Sequence, residues 1–248
     1  MIAPMELHVL GSSGTAPRPG RPASGYLVSD GESTVLMDVG PGVAMALMDV
    51  MDPGDLDAIV VSHRHPDHCS DLFALFHHYA YEAPPPAPVR IYSPPDVWTA
   101  AHAFVAESPA WESVFAWKDA TDSETVGAIT LSFAAAAHSV PAICVLVSAA
   151  GASLSYTGDT GPGGDVAELA AGSNTLLCEA TYQDGTHDSY PFHLSATQAG
   201  QLATATGAGR LILTHLRSSL DPEMSLAEAS AAFSGEVLLA EPGMRIEI

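Results

Sequence analysis

The chain has 248 residues, 47% of them hydrophobic and 15% charged, a balance that fits a globular protein able to bury roughly 70 to 75% of its unfolded surface. The 29 acidic residues against 8 Lys and Arg leave a net charge of −21, which disfavours a long nucleic acid, because such polymers are held by neutralising many phosphates, but leaves room for a small anionic substrate drawn by local positive charge. No apolar run reaches the ~18 residues of a membrane span, the first residues do not resemble a secretion leader, and three scattered cysteines (Cys69, Cys144, Cys178) fit a reducing compartment, with the cytoplasm as the expected location.

In chain order, Glu6 to Leu10 reads as an opening strand that runs into a loop from Gly11 to Pro22, too rich in Gly and Pro for regular structure. That loop holds Arg18 and Arg21, either as a plain surface connection or as groups that meet an anion beside the active site. Gly25 to Ser29 and Thr34 to Val39 form a hairpin around the turn dipeptide Asp30-Gly31. Asp38 ends its second strand, as a turn cap or as an acceptor that orients a neighbouring loop. Pro41 to Met51 is a short helix with Pro at its first position, and Asp57 to Ser62 is a strand that delivers the His-rich loop after it. Ser70 to Glu82 reads as a helix that sends His77 and His78 to different faces, so both are assigned structural roles. The connector Ala83 to Pro88 is stiff. Strand Val89 to Tyr92, helix Pro95 to Glu107 and the segment Trp111 to Trp117 continue an α/β rhythm beyond it, so residues 1–248 are expected to form one domain.

Ala128 to Ala137 ends at His138. Ala142 to Ser148 and Ser153 to Thr157 flank Gly151 as a hairpin that ends in Gly158-Asp159-Thr160-Gly161. Strand Thr175 to Cys178 runs into Glu179, and the polar loop after it carries His187 and His193. Ser195-Ala196-Thr197-Gln198 has the form of a capping box for a helix to about Thr206. Strand Arg210 to Leu216 carries His215, Ser225-Leu226-Ala227-Glu228 is expected to cap a last helix, and strands Glu236 to Ala240 and Met244 to Ile248 close the chain.

The chemistry concentrates in His63-Arg64-His65-Pro66-Asp67-His68, three imidazoles and a carboxylate in six positions directly after the apolar run Ala58 to Val61. These donors suit Zn²⁺, Mn²⁺ or Fe²⁺, and their spacing can feed two neighbouring ions. Four ligands are too few for two ions, so isolated His and Asp residues at other strand ends are needed. His138, Asp159 and His215 each stand where a strand gives out. Cys69, next to this run, is expected to be a small buried hydrophobe. His193, on a loop against a rigid helix start, is well placed to protonate a leaving group.

The order Asp38, His63-x-His65-x-Asp67-His68, His138, Asp159, His215 resembles the metallo-β-lactamase-fold hydrolases over nearly the whole chain. The opening Gly11-Ser12-Ser13-Gly14, Tyr156 to Thr160, Cys178 to Tyr182, His193-Leu194-Ser195 and Leu211 to His215 resemble the ribonuclease Z and cyclic-nucleotide phosphodiesterase-like branch. The resemblance implies an α/β (α+β) chain folded as a four-layer αββα sandwich. It also implies two divalent metal ions, zinc first with manganese or iron as alternatives. His63, His65, His138 and Asp159 would hold one ion and Asp67, His68, Asp159 and His215 the other. Asp67, His193 and Glu179 would be catalytic, with a bridging hydroxide as nucleophile and Glu179 holding the His193 tautomer.

The reaction implied is hydrolysis of a small phosphodiester such as a 3′,5′-cyclic nucleotide; the alternative on the same scaffold is a thioester, lactone or lactam. Dimerisation is common in that family, although no segment here argues for it. One departure stands out: ribonuclease Z carries a long arm for tRNA between the motifs matching His138 and Asp159, and only 20 residues separate them here.

Overall fold

The computed structural model describes residues 4–105, 108–185 and 191–248; Glu107, the expected end of one helix, and His187 lie outside the described residues. The first sheet is built from β1 (Glu6–Gly11), β2 (Gly25–Ser29), β3 (Thr34–Met37), β4 (Ala58–Val60), β5 (Val89–Ser93) and β6 (Phe115–Asp119). The second is built from β7 (Glu124–Val126), β8 (Ile129–Ala135), β9 (Ile143–Ala149), β10 (Ala152–Tyr156), β11 (Thr175–Glu179), β12 (Arg210–Thr214) and β13 (Glu236–Leu239), while β14 (Arg245–Glu247) returns to the edge of the first. Their orders, β14-β1-β2-β3-β4-β5-β6 and β13-β12-β11-β10-β9-β8-β7, are alike in kind. In each, a run of antiparallel pairs gives way to a run of parallel ones, beginning at β3–β4 in the first sheet and β10–β11 in the second.

Three buried clusters show how the layers stack. One lies between the sheets, with Val9, Tyr26, Met37 and Val60 facing Val145, Leu154, Tyr156 and Ile212. A second, around Leu36, Ile59, Leu75, Tyr79 and Trp111, seals the outer face of the first sheet under helices α1 (Val43–Met48), α2 (Pro66–Cys69), α3 (Leu72–His77), α4 (Pro95–Phe104) and α5 (Pro109–Val114). The third, around Leu176, Cys178, Leu211 and Ala199, does the same for the second sheet under α6 (Val166–Leu169), α7 (Ala196–Thr206) and α8 (Pro222–Ala232). Helix, sheet, sheet, helix is therefore the layer order, the αββα sandwich expected. Strands β4, β11 and β12 are buried at every or nearly every position, as parallel strands covered on both faces must be.

Several elements differ from their expected form. The Ser70–Glu82 helix is divided into α3, which starts at Leu72, and a single π-helical stretch at His78–Glu82, while α2 forms ahead of it within the His loop. Pro41 and Gly42 stay outside α1 because Gly42 sits at φ 93°, a left-handed conformation that suits glycine and lets the helix begin only at Val43. Trp111 to Trp117 divides into the end of α5 and the start of β6. The last helix starts earlier than expected, at Pro222. Asp221 caps it by accepting from the Glu223 amide, while Ser225 is buried inside the helix and takes a 3.0 Å bond from Gln183 Nε2. Among the described residues no helix is long and apolar enough to cross a membrane.

Candidate metal centre and acid–base pair

Parallel strands point their carboxyl ends the same way, and ligands in such sheets bind beyond those ends. The polar groups singled out above sit at such ends: Asp38 after β3, His63 to His68 after β4, His138 after β8, Asp159 after β10, Glu179 at the end of β11 and His215 after β12. Both sheets contribute, and bridges hold the loops in place, His63 pairing with Ala142 and Ser13 with Leu216. Two non-glycine residues at these ends have positive φ, Asp38 (59°) and His215 (57°), the turns that bring their side chains inward.

Two four-residue donor sets result, each with its ligand atoms within 4.8 Å of one another: His63, His65, His138 and Asp159, and Asp67, His68, Asp159 and His215. Asp159 belongs to both. Its carboxylate lies 3.7 Å from His63 Nε2 on one side and 3.2 and 3.5 Å from His68 and His215 Nε2 on the other. His138 Nε2 approaches His65 Nδ1 at 3.1 Å, and Asp67 Oδ2 lies 3.2 Å from His215 Nε2. Glu179, His193 and His215 form a third cluster.

Hydrogen bonding separates the two shared sets from the third. His63 Nε2 and Asp159 Oδ1 are buried without a hydrogen-bond partner among the described residues, a costly state for polar atoms that a cation would relieve. Glu179, by contrast, is fully bonded inside the protein. It accepts from the Thr160 amide (2.7 Å), from Thr181 Oγ1 (2.6 Å) and from His193 Nδ1 (3.0 Å). The His and Asp sets suit a divalent metal; the Glu179 cluster is a hydrogen-bond network.

The far nitrogens of the imidazoles are anchored as metal-ligating histidines usually are. Asp38 is completely buried and accepts from the Ser62 amide (2.7 Å), Ser62 Oγ (2.9 Å), Tyr156 Oη (2.6 Å) and His68 Nδ1 (2.6 Å). Asp38 thus orients the His loop. His138 Nδ1 meets the Phe192 carbonyl at 3.0 Å and His215 Nδ1 meets Thr181 Oγ1 at 2.9 Å. Burial, followed by the charge of His68, holds the His63 pKa well below its ordinary range, which favours the neutral form that binds metal. Burial lowers His193 too, but its hydrogen bond to Glu179 and the charges of Glu179 and Asp159 outweigh this and raise its pKa.

His193 itself is placed by the segment around it. Tyr182 bridges to Ser195, and the capping box is present as expected, with Ser195 Oγ accepting from the Gln198 amide and Gln198 Oε1 from the Ser195 amide. Thr181 had no assigned role in the sequence, yet its hydroxyl lies between Glu179, His193 and His215. The signal was there: it follows Glu179 by two positions, and residues two apart in extended chain share a face. Of the two loop arginines, Arg21 pairs with Glu241 at 2.7 Å. Cys69 is half-buried, its thiol directed at the Arg64 carbonyl.

A sandwich with imidazole and carboxylate clusters at its strand ends defines a metal-dependent hydrolase. The chain belongs to the Beta-lactamase superfamily domain family, whose model matches residues 33–216. It is 35% identical over 245 residues to an uncharacterized protein of Mycobacterium tuberculosis, covering 95% of this chain and 89% of that one. The crystal structure of the metallo-β-lactamase fold protein YhfI from Bacillus subtilis superposes with a TM-score of 0.89 at 26% identity, covering 98% of this chain and all of that one. A Ribonuclease Z of Mycobacterium bovis is 26% identical over 276 residues, covering 98% of each chain.

Proposed function

We propose that the protein is a dinuclear metal-dependent phosphodiesterase acting on a small phosphodiester such as a 3′,5′-cyclic nucleotide. In this reading His63, His65, His138 and Asp159 hold one ion and Asp67, His68, Asp159 and His215 the other, zinc, manganese and iron all suiting the donors. Bound there, such ions supply an acidified water and positive charge for a phosphoryl centre. The observation that carries the proposal is the Glu179–His193 pair beside Asp159. His193 Nδ1 donates to Glu179 at 3.0 Å and stands 3.9 Å from Asp159 Oδ2. Glu179 thereby fixes the ring and favours its doubly protonated form, whose Nε2–H is the transferable proton that an alkoxide leaving group needs and a thiolate does not.

Two features favour a small substrate over RNA. The net charge is −21. The chain between His138 and Asp159 is used up by β9, β10 and the turn joining them, which leaves no arm of the kind ribonuclease Z uses. Cytoplasmic location and action on a small anion belong to the same proposal.

The test is a hydrolysis panel of 3′,5′-cyclic AMP, bis(p-nitrophenyl) phosphate, a thioester and a lactone, run on protein of measured metal content. His193→Ala should cut cyclic AMP hydrolysis by about 10² to 10⁴ with metal content unchanged. Turnover of the thioester or lactone alone would refute the phosphodiesterase reading.

A further inference from the structure

Beside the metal-ligand cluster the row of strand ends continues into an open groove of 730 Å³, within the usual size of small-molecule sites. Its walls come from both sheets. Pro94 and Pro95 follow β5, Asp119 ends β6, Phe133 lies in β8, Val140 sits in the loop after His138, and Ile143 opens β9. His138 lines the groove and also contributes to the donor set with His63, His65 and Asp159, so groove and cluster share a wall. The lining is mainly apolar. Phe133 is half-buried, its ring 5.9 Å from that of Tyr92, which keeps one part of its surface for the groove. Among the described residues no Lys or Arg lines it, and the Asp119 carboxylate, half-buried, is its fixed charge.

We infer that this groove seats the heterocyclic base of a nucleotide substrate whose phosphodiester lies at the metal cluster; the inference rests on the phosphodiesterase reading above. A flat uncharged ring matches Phe133, Val140 and the two prolines. Asp119, an acceptor only, matches the N–H donors on the edge of such a base. A second phosphate finds no cation there and is repelled by Asp119, so the groove selects a single-phosphate diester over a polynucleotide or a substrate with a further phosphoryl group.

The test compares kcat/KM for 3′,5′-cyclic AMP with that for 1-O-methylribose 3′,5′-cyclic phosphate, which keeps the cyclic diester but has no base to place in the groove. In the wild-type protein the ratio should favour the cyclic nucleotide. Phe133→Ala, and independently Val140→Trp, which fills the groove from a loop position, should each lower that ratio at least tenfold, mainly through KM for cyclic AMP. Asp119→Asn should lower the ratio as well. A ratio unchanged in both Phe133→Ala and Val140→Trp overturns the inference and leaves the phosphodiesterase reading standing; wild-type protein that cleaves neither diester overturns both.

Discussion

Asp38 shows how much a single side chain can settle. It satisfies four donors from inside the fold, and Ser62, Tyr156 and His68 all depend on it. Asp38→Ala leaves at least the Ser62 amide and the Tyr156 hydroxyl buried without partners, at about 1 to 3 kcal/mol each, so a loss of about 2 to 6 kcal/mol in urea unfolding is expected. It also frees the His68 ring, and loss of such an anchor typically weakens metal affinity about 10- to 100-fold. Retention of both wild-type stability and wild-type metal affinity would show that Asp38 does not orient this loop. Gly40 makes a steric counterpart: a Cβ there would stand 2.0 Å from the Asp67 carbonyl oxygen. Gly40→Ala must push α2 and its Asp67 and His68 outward, so metal titration should again read weaker binding, this time with Asp38 intact. Cys144 is a milder case. Burial pushes its thiol up to about 12, so native protein should leave it unreacted with iodoacetamide at pH 8 while urea exposes it, as mass spectrometry would read directly.

Among the elements, α7 ties packing to chemistry most directly, because its capping box follows His193 by two residues. Ser195→Ala removes the side-chain acceptor for the Gln198 amide and should cost about 0.5 to 2 kcal/mol, read as a lower Tm. Because Tyr182 bridges to Ser195 through backbone groups that the substitution keeps, His193 should stay in place and most of the hydrolytic activity should survive. An activity loss as large as that of His193→Ala would mean that the cap, not the strand-like bridge, holds the histidine.

The same contrast explains what the sequence made legible. Ligand positions could be read because each follows a strand, most plainly where the apolar run is unbroken, such as Leu211–Leu213 before His215, and strand ends gather at one rim in a sandwich of this kind. Helix starts were harder. Ser225-Leu226-Ala227-Glu228 carries capping-box letters, but Asp221-Pro222, beginning four residues earlier, combines a side-chain acceptor with a ring suited to the first turn and wins the start. Ser225 then turns inward to Gln183, a tertiary partner that local pattern does not reveal. The contact of Thr181 with His215 and the groove around Phe133 were invisible for a similar reason, since each is defined by segments far apart in sequence.

At the scale of the whole molecule, the acidic balance and the site act on the same seam. Among the described residues at least five of the eight cationic side chains are tied to carboxylates, Arg21 to Glu241, Arg64 to Asp96, Lys118 to Glu124, Arg210 to Glu236 and Arg245 to Glu6, and with 29 acidic residues most of the acidic charge stays uncompensated. The two sheets meet at a rim where His63, His65, Asp67 and His68 from the first face His138, Asp159 and His215 from the second. Cations bound there would bridge the sheets and stabilise only the folded chain, by about 4 kcal/mol per site when free metal exceeds Kd a thousandfold. For a domain of this size each kcal/mol moves Tm by roughly 2 to 4 °C, so chelation should lower Tm on the order of 10 °C or more, and zinc or manganese should restore it. Salt should act in the opposite direction to chelation. Raising ionic strength from about 0.01 M to 0.15 M shortens the screening length from about 30 to about 8 Å, so long-range repulsion among the carboxylates weakens and the chelated protein gains stability. Metal-free and metal-loaded protein melting at the same temperature, at both salt concentrations, would sink the view that this rim is closed by bound cations.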